Sequence, residues 1–156
     1  MGLQHDIARS HLETLIEQIT GVEKAEPDAD GDYRLPTERA SFFARVMGES
    51  QPVFQLYSVV ASGLEHTPDL FEALNELNTQ LVFARAMVVD GQVMIESEVL
   101  AMSADQSVFR NLCRRIATTS DNFGPTLVQR FGGESDFENS KSHDYETPQV
   151  DHPGYL

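Results

Sequence analysis

The chain has 156 residues, of which 40% are hydrophobic and 23% are charged, and this size and composition fit one globular domain around a single core. Its 25 acidic and 11 basic residues give a net charge of −14, which repels phosphate backbones and anionic lipids and argues against nucleic-acid and membrane partners. One cysteine, Cys113, excludes an internal disulfide, and the N-terminal sequence has neither the basic start nor the apolar run of a secretory signal. We therefore expect a cytoplasmic protein.

The first half of the chain predicts one helix followed by three strands. Apolar residues recur at helical spacing up to Ile19, and Gly21 ends this amphipathic helix. The polar stretch KAEPDADGD then predicts a loop. Three strand candidates follow, at Tyr33 to Leu35, Ala40 to Met47 and Val53 to Ala61. Because no helix separates them, we expect them to pair as antiparallel hairpins.

A second helix is predicted after Thr67, which precedes a proline and an acidic residue as a helix N-cap typically does. Its apolar stripe comprises Leu70, Phe71, Leu74 and Leu77. After Asn78 the apolar spacing changes from that of a helix to that of a strand. Asp90 and Gly91 are the residue pair preferred in a two-residue hairpin turn, because both turn positions need a positive φ.

The register of this last hairpin follows from its turn. One face is predicted to pair Val88 with Val93, Ala86 with Ile95, Ala84 with Ser97 and Val82 with Val99, and we assign that face to the core. The opposite face is predicted to pair Met87 with Met94, Arg85 with Glu96, and Phe83 with Glu98. Because this second face mixes apolar and charged side chains, it is only partly suited to water.

A third, long helix is predicted from a capping box at Ser103 and Gln106, with apolar spacing up to Phe131. Pro125 predicts a kink or a break into two helices near Asn122. We place the domain at residues 1–132 and an acidic tail at 133–156, which carries −5 of the net charge. The tail also contains apolar residues that would anchor it in the place of a bound partner segment: Tyr145, Val150, Tyr155 and Leu156.

The element order α-β-β-β-α-β-β-α predicts the α+β class, with a five-stranded antiparallel sheet covered by helices on one face. This order resembles the type III secretion chaperone fold. The LNELN sequence at 74–78 and the DGQV turn at 90–93 are similar to the bacterial YbjN family of chaperone-like proteins. The resemblance covers about residues 3 to 131, and it implies a small, acidic, cytoplasmic homodimer without enzymatic activity that binds extended segments of partner proteins.

Residues that carry chemistry do not form a recognisable site in the sequence. The five histidines have no metal-ligand spacing, and Cys113 follows Leu112 as a buried small hydrophobic residue would. Glu96 and Glu98 lie on one strand face, but Arg85 opposite Glu96 indicates a cross-strand ion pair more than a catalytic pair. We therefore expect no enzyme, no cofactor and no metal.

The outer face of the last hairpin is the candidate site for a peptide or for a dimer interface. Its apolar members are Phe83, Met87, Val89, Met94 and Leu100. The second helix, a second subunit or a client peptide are the alternative covers for this face. We thus expect a chaperone-like homodimer that binds an extended protein segment; the alternative is a structural or regulatory homodimer that uses up the same face and has no client.

Overall fold

The computed structural model describes residues 2–35 and 42–135, which form three helices and six strands. They are α1 (Leu3–Thr20), β1 (Tyr33–Leu35), β2 (Phe42–Met47), β3 (Val53–Ser62), α2 (Pro68–Gln80), β4 (Arg85–Val89), β5 (Gln92–Leu100), a 3₁₀ turn (Ala101–Ser103), α3 (Gln106–Phe131) and β6 (Glu134–Ser135). The α+β class and the predicted order of the first eight elements are confirmed. The anchors predicted in the tail lie outside the described residues, as do residues 40 and 41 of the second predicted strand.

The strands form one antiparallel sheet in the order β1-β2-β3-β5-β4. β1 and β4 are therefore its edges, and the central strand β3 is buried over most of its length. A bulge between Val59 and Ala61 shifts the register of β3 against β5. This antiparallel sheet agrees with the succession of hairpins expected from the sequence.

The sixth strand, β6, was not predicted. Ser135 pairs with Ala61, and Glu134 pairs with Ser62. Gly132 and Gly133 both have a φ of +78°, so they reverse the chain after α3 at positions where another residue would be strained. A Cβ atom at Gly133 would overlap the carbonyl oxygen of Ser62. The two glycines thus end α3 and also allow the chain to return to the sheet.

All three helices pack on one face of the sheet, which we call the inner face. One buried cluster joins α1 and α3 to alternate residues of β2 and β3, including Phe42, Phe54 and Leu56. A second cluster joins α2 and the end of α3 to Ala86, Ile95 and other residues near the hairpin. Burial of these apolar side chains is the main stabilising contribution to the fold.

The ends of the helices show which local signals decide the structure. Gly21 ends α1 with a φ of +74°, and the Thr67 hydroxyl accepts the Leu70 N–H at the start of α2, both as predicted. The predicted capping box at Ser103 is wrong, because α3 begins at Gln106 and the Asp105 side chain accepts the Val108 N–H. Of the two predicted effects of Pro125, the break near Asn122 is wrong, because α3 continues through Pro125 and Leu127 is buried beyond it. The kink stays a prediction.

Candidate functional site

β4, from Arg85 to Val89, pairs with β5 in the predicted register. Val88 pairs with Val93, Met87 with Met94, and Arg85 with Glu96. Asp90 and Gly91 have φ values of +50° and +77°, as a two-residue turn of this kind requires. The turn is tied to the loop before α2, because the Gly91 carbonyl accepts the Leu64 N–H at 3.0 Å.

The connector, residues 81–84, was predicted as strand but lies outside β4. The predicted pairs of Val82, Phe83 and Ala84 with β5 are therefore wrong, since the ladder begins at Arg85. Phe83 has a φ of +57°, which an extended strand cannot accommodate. The Ser97 hydroxyl donates instead to the Phe83 carbonyl at 2.5 Å. This contact fixes the connector beside β5 without a strand ladder.

The structure separates the five predicted site residues. Met94 is 1% exposed and packs with Tyr57 and Val59, whereas Met87 and Val89 are half-buried. Phe83 is 77% exposed on the connector, and Leu100 is 54% exposed at the far end of β5. These residues therefore do not form one continuous exposed patch, and two of them lie in separate exposed places.

Charged and polar side chains cross the outer face of the sheet, opposite the helices. The Gln55 side chain donates to the Glu96 carboxylate at 2.8 Å, and Arg85 forms an ion pair with the same carboxylate. Arg45 in turn donates to the Gln55 amide oxygen at 2.6 Å. Glu96 is 1% exposed, so these partners offset the cost of burying its charge. Glu96 therefore has a structural role in this network. Glu98 lies nearby and is exposed.

An apolar cluster lies beside this polar row on the same face. It consists of Tyr57, Val59 and Met94, against which Phe43 and Met87 pack. The rings of Phe43 and Tyr57 stack at 5.3 Å between centroids, and the Tyr57 hydroxyl donates to Asp32 at 2.9 Å. No helical residue among those described belongs to this cluster. The outer face therefore has its own buried core, separate from that under the helices.

The connector presents an exposed aromatic side chain beside a groove. Val82 is 53% exposed next to Phe83. The groove, of about 300 Å³, lies between the connector and the outer side of α3. Its lining residues are Gln80, Leu81, Val82, Ala84, Arg114, Arg115, Thr118 and Thr119. A projecting Phe83 and a concave surface thus lie side by side on one part of the molecule.

Five further exposed apolar side chains lie on α1, at the end of β5, in the 3₁₀ turn and in the first turn of α3; we call this set the α1-end patch. Its members are Leu3, Ile7, Leu100, Met102 and Val108, with exposed fractions of 75%, 49%, 54%, 76% and 36%. α1 contacts the 3₁₀ turn, and the His11 ring nitrogen Nε2 lies 2.7 Å from the Ala104 carbonyl oxygen. These contacts hold α1 against the segment that contains Met102.

Sequence reasoning missed most of the α1-end patch. Ile7 and Val108 were assigned to apolar stripes, where a buried position is expected, and Met102 was not considered. Leu100 and Met102 lie at the end of a strand and in a 3₁₀ turn, where strand alternation does not indicate burial. Leu100 was among the predicted site residues and its side chain is exposed, although its predicted neighbours lie elsewhere.

Histidine, cysteine and carboxylate side chains are the remaining candidates for metal binding or nucleophilic chemistry. Within residues 2–35 and 42–135, no group of three His, Cys, Asp or Glu side chains is placed to hold a metal ion. Burial raises the pKa of the Cys113 thiol from its usual 9.0 to about 12, so the thiolate is scarce at neutral pH. His143 and His152 lie outside the described residues. No helix in the described part of the chain is both long and apolar enough for a membrane span.

Solved structures share this fold at low sequence identity. A chain of the ExsC-ExsE complex is 16% identical, with a TM-score of 0.62 over 81% of this chain and 97% of that one. A chain of the HopA1-SchA chaperone-effector complex is 6% identical, with a TM-score of 0.61 over 76% and 97%. A chain from the Yersinia pestis type III secretion chaperone SycH in complex with a YscM2 fragment is 12% identical, with a TM-score of 0.54 over 77% and 98%.

Sequence comparison gives a more specific result than the fold alone. No curated protein matches the chain significantly. A family model does match, over residues 6–139, and it describes the T3SS (YopN, CesT) and YbjN peptide-binding chaperone 1 family. This range contains most of α1, the sheet, the LNELN helix, the Asp90-Gly91 hairpin and α3. With the shared fold and most of its length matched, the chain belongs to the family of type III secretion and YbjN peptide-binding chaperones.

Proposed function

We propose that this protein is a non-enzymatic homodimer that binds an extended segment of a partner protein. The observation that carries the proposal is the family match over residues 6–139, since the family is described as peptide-binding. Chains of similar fold come from the HopA1-SchA chaperone-effector complex and from the heterodimeric ExoU-SpcU complex of the Pseudomonas aeruginosa type III secretion system. The exposed apolar surfaces of the chain supply the contacts that such binding needs.

The α1-end patch is the surface that we assign to the partner segment. It consists of exposed apolar side chains on α1, β5, the 3₁₀ turn and α3, and unbranched Met102 adapts to partners of different shape. Asp6 and Asp105 are exposed in the same parts of α1 and α3, and residues 1–133 carry a charge of −9. This combination favours a segment with apolar anchors flanked by basic residues.

The connector is the surface that we assign to the dimer. In a two-fold symmetric dimer, the same patch of each subunit forms the interface. A side chain that projects from this patch therefore fits a recess in the same patch of the other subunit. Phe83 projects directly beside the 300 Å³ groove lined by Leu81, Val82 and Ala84. The Ser97 hydroxyl donates to the Phe83 carbonyl and holds the connector backbone in place, so little backbone freedom remains to be lost on association.

A homodimer without a client is the second candidate. Burial of Met94 favours it, because that side chain was expected to contact a partner and is 1% exposed in the chain alone. Met87 and Val89 are half-buried around it and remain candidate interface residues. In this alternative the connector forms the dimer interface, and the α1-end patch binds no partner.

Peptide selection followed by calorimetry tests the proposal. Peptides of about 15 residues would be selected on the wild-type protein from a random library, and their affinities measured for Met102→Glu, Phe83→Glu and the control Val22→Glu. Val22 is 41% exposed at the far end of α1, so it matches the other positions in chemistry but lies outside both surfaces. The molecular mass of each variant in solution would be measured by light scattering.

We expect Met102→Glu to weaken peptide binding at least tenfold without changing the mass, because a buried unpaired carboxylate is costly. Phe83→Glu should give a monomer, and Val22→Glu should change neither property. Equal affinities for wild type and Met102→Glu would contradict the assignment of the α1-end patch. A dimer that selects no peptide would favour the second candidate, and a monomeric wild type would contradict the dimer.

A further inference from the structure

The outer edge of β4 has backbone groups that point away from the sheet. The Asp90-Gly91 turn closes between Val89 and Gln92, and narrow and wide pairs alternate from there along the two strands. By this alternation Arg85, Met87 and Val89 bond to β5, whereas Ala86 and Val88 direct their N–H and C=O groups outward. Such an edge is where a strand from another molecule is normally added.

The Asn78 side chain occupies the place beside Ala86 that an added strand would take. Its Oδ1 atom accepts the Ala86 N–H at 2.7 Å, and its Nδ2 atom donates to the Ala86 carbonyl at 2.9 Å. One side-chain amide therefore makes both hydrogen bonds that a neighbouring strand would make to this residue. Among uncharged side chains, Asn and Gln alone offer an acceptor and a donor in this planar arrangement.

The helix α2 brings Asn78 to the edge. Leu74 and Leu77 bury their side chains in the core, and Asn78 follows on the last turn of α2. The other asparagine of LNELN, Asn75, is exposed and makes no side-chain hydrogen bond in the described part of the chain. The two asparagines thus differ in role, although the sequence presents them as equivalent.

We propose that Asn78 closes the β4 edge and excludes a second copy of this chain from pairing there strand to strand. An open edge is a template for self-association. With Ala86 already paired, Val88 alone among the five residues of β4 still offers outward backbone groups to another β4 strand, too few for a ladder. Two copies then meet through side chains such as Phe83 and not through a continuous sheet. This proposal rests on the fold and does not depend on peptide binding.

Amide hydrogen exchange at Ala86 and Val88 tests the proposal in Asn78→Ala, Asn78→Asp and the matched control Asn75→Ala. In Asn78→Ala we expect Ala86 to exchange roughly tenfold faster or more at low concentration, because both hydrogen bonds are lost. Raising the concentration should then protect Val88 and produce species heavier than the wild type. Asn78→Asp keeps the acceptor and loses the donor, so its effects should be intermediate, and Asn75→Ala should behave as wild type.

Two results would overturn the proposal. Unchanged Ala86 exchange in Asn78→Ala would show that the amide does not guard this residue. Faster Ala86 exchange without heavier species or protection of Val88 would show that Asn78 completes the fold but excludes nothing. If Asn78→Ala does not fold, the same comparison is made with Asn78→Asp, which retains one hydrogen bond. Loss of peptide binding by the wild type would bear on the proposed function and leave this inference standing.

Discussion

Both faces of the β4–β5 hairpin contain buried side chains, but the side chains that pack against the two faces differ in chemical character. On the inner face, Ile95 and Ala86 pack against apolar side chains of α2 and α3. On the outer face, Met94 packs in a small apolar cluster, and Glu96 lies beside it with Arg85 and Gln55 as partners. Alternation along a strand separates the faces correctly, but it does not show which face reaches solvent.

The comparison also locates the exposed apolar surface. Neither face of the hairpin is open at its centre, and most large exposed apolar side chains lie at the connector and at the α1-end patch. Phe71, predicted in the apolar stripe of α2, and Val22 are exposed elsewhere. Element ends cannot follow a regular pattern of burial, since the chain changes direction there. Binding surfaces in this protein are therefore expected at junctions of elements, and the sheet serves to position those junctions.

The largest expected effect comes from the inner face. Ile95→Ala should lower the free energy of unfolding by about 3 kcal/mol, because it removes buried methylene groups and leaves a cavity that the helices cannot fill. Urea denaturation followed by circular dichroism measures this change. The control Val22→Ala, at a partly exposed site, should cost less than about 1 kcal/mol. Similar losses for the two variants would contradict the assignment of the inner face as the main core.

A smaller loss is expected from the outer face. Glu96→Gln keeps the shape of the side chain but leaves Arg85 facing a neutral amide, and should cost about 1–2 kcal/mol in urea denaturation. Arg85 is partly exposed and can still reach Glu98 or water, which limits the loss. Glu98→Gln should cost under about 0.5 kcal/mol, since it breaks a partly exposed pair. An equal cost for both variants would mean that the buried network contributes nothing specific.

At the connector we expect a change of opposite sign. Phe83→Asn should raise the stability of the monomer by about 0.5–1 kcal/mol, because asparagine tolerates a positive φ better than phenylalanine. The same variant should associate less, which light scattering can measure. Val82→Asn changes a neighbouring exposed residue whose φ is not positive, and should give no gain. Loss of stability in Phe83→Asn would show that the ring stabilises the monomer itself.

The smallest effect at neutral pH concerns Cys113. Its pKa is about 12 in the folded chain and 9.0 ordinarily, so the unfolded thiol loses its proton first as pH rises. This group therefore leaves stability unchanged below about pH 9 and lowers it progressively towards pH 12. Thiol labelling of the native protein at pH 8 should be slow, and addition of urea should restore the rate of an ordinary cysteine. Fast native labelling would contradict the burial of the thiol.

Local signals predicted much of the fold. The Asp90-Gly91 turn, the Gly21 helix end and the Thr67 cap each depend on the conformational preferences of one or two residues, so the sequence is sufficient. The extent of β4 was not predictable in this way. Apolar alternation continues through Phe83, but α2 extends to Gln80 and the Asn78 and Ser97 side chains hold the chain out of the ladder.

The candidate site was predicted less well than the fold, for a physical reason. A pattern of apolar residues shows which side chains share a face, whereas exposure depends on what other parts of the chain contact that face. Met94 and Met87 share a face as predicted, yet Met94 is buried by contacts distant in sequence. Leu100 and Ile7 lie 93 positions apart, and no periodicity relates them to one exposed surface.

The double glycine after α3 has a practical consequence for labelling. Gly133 lies so close to Ser62 that even a methyl group would push the returning chain away from β3. A single alanine at this position would therefore displace β6 from its pairing with Ala61 and Ser62. A fluorophore placed on β6 should leave both glycines unchanged, because their positive φ values return the chain to the sheet.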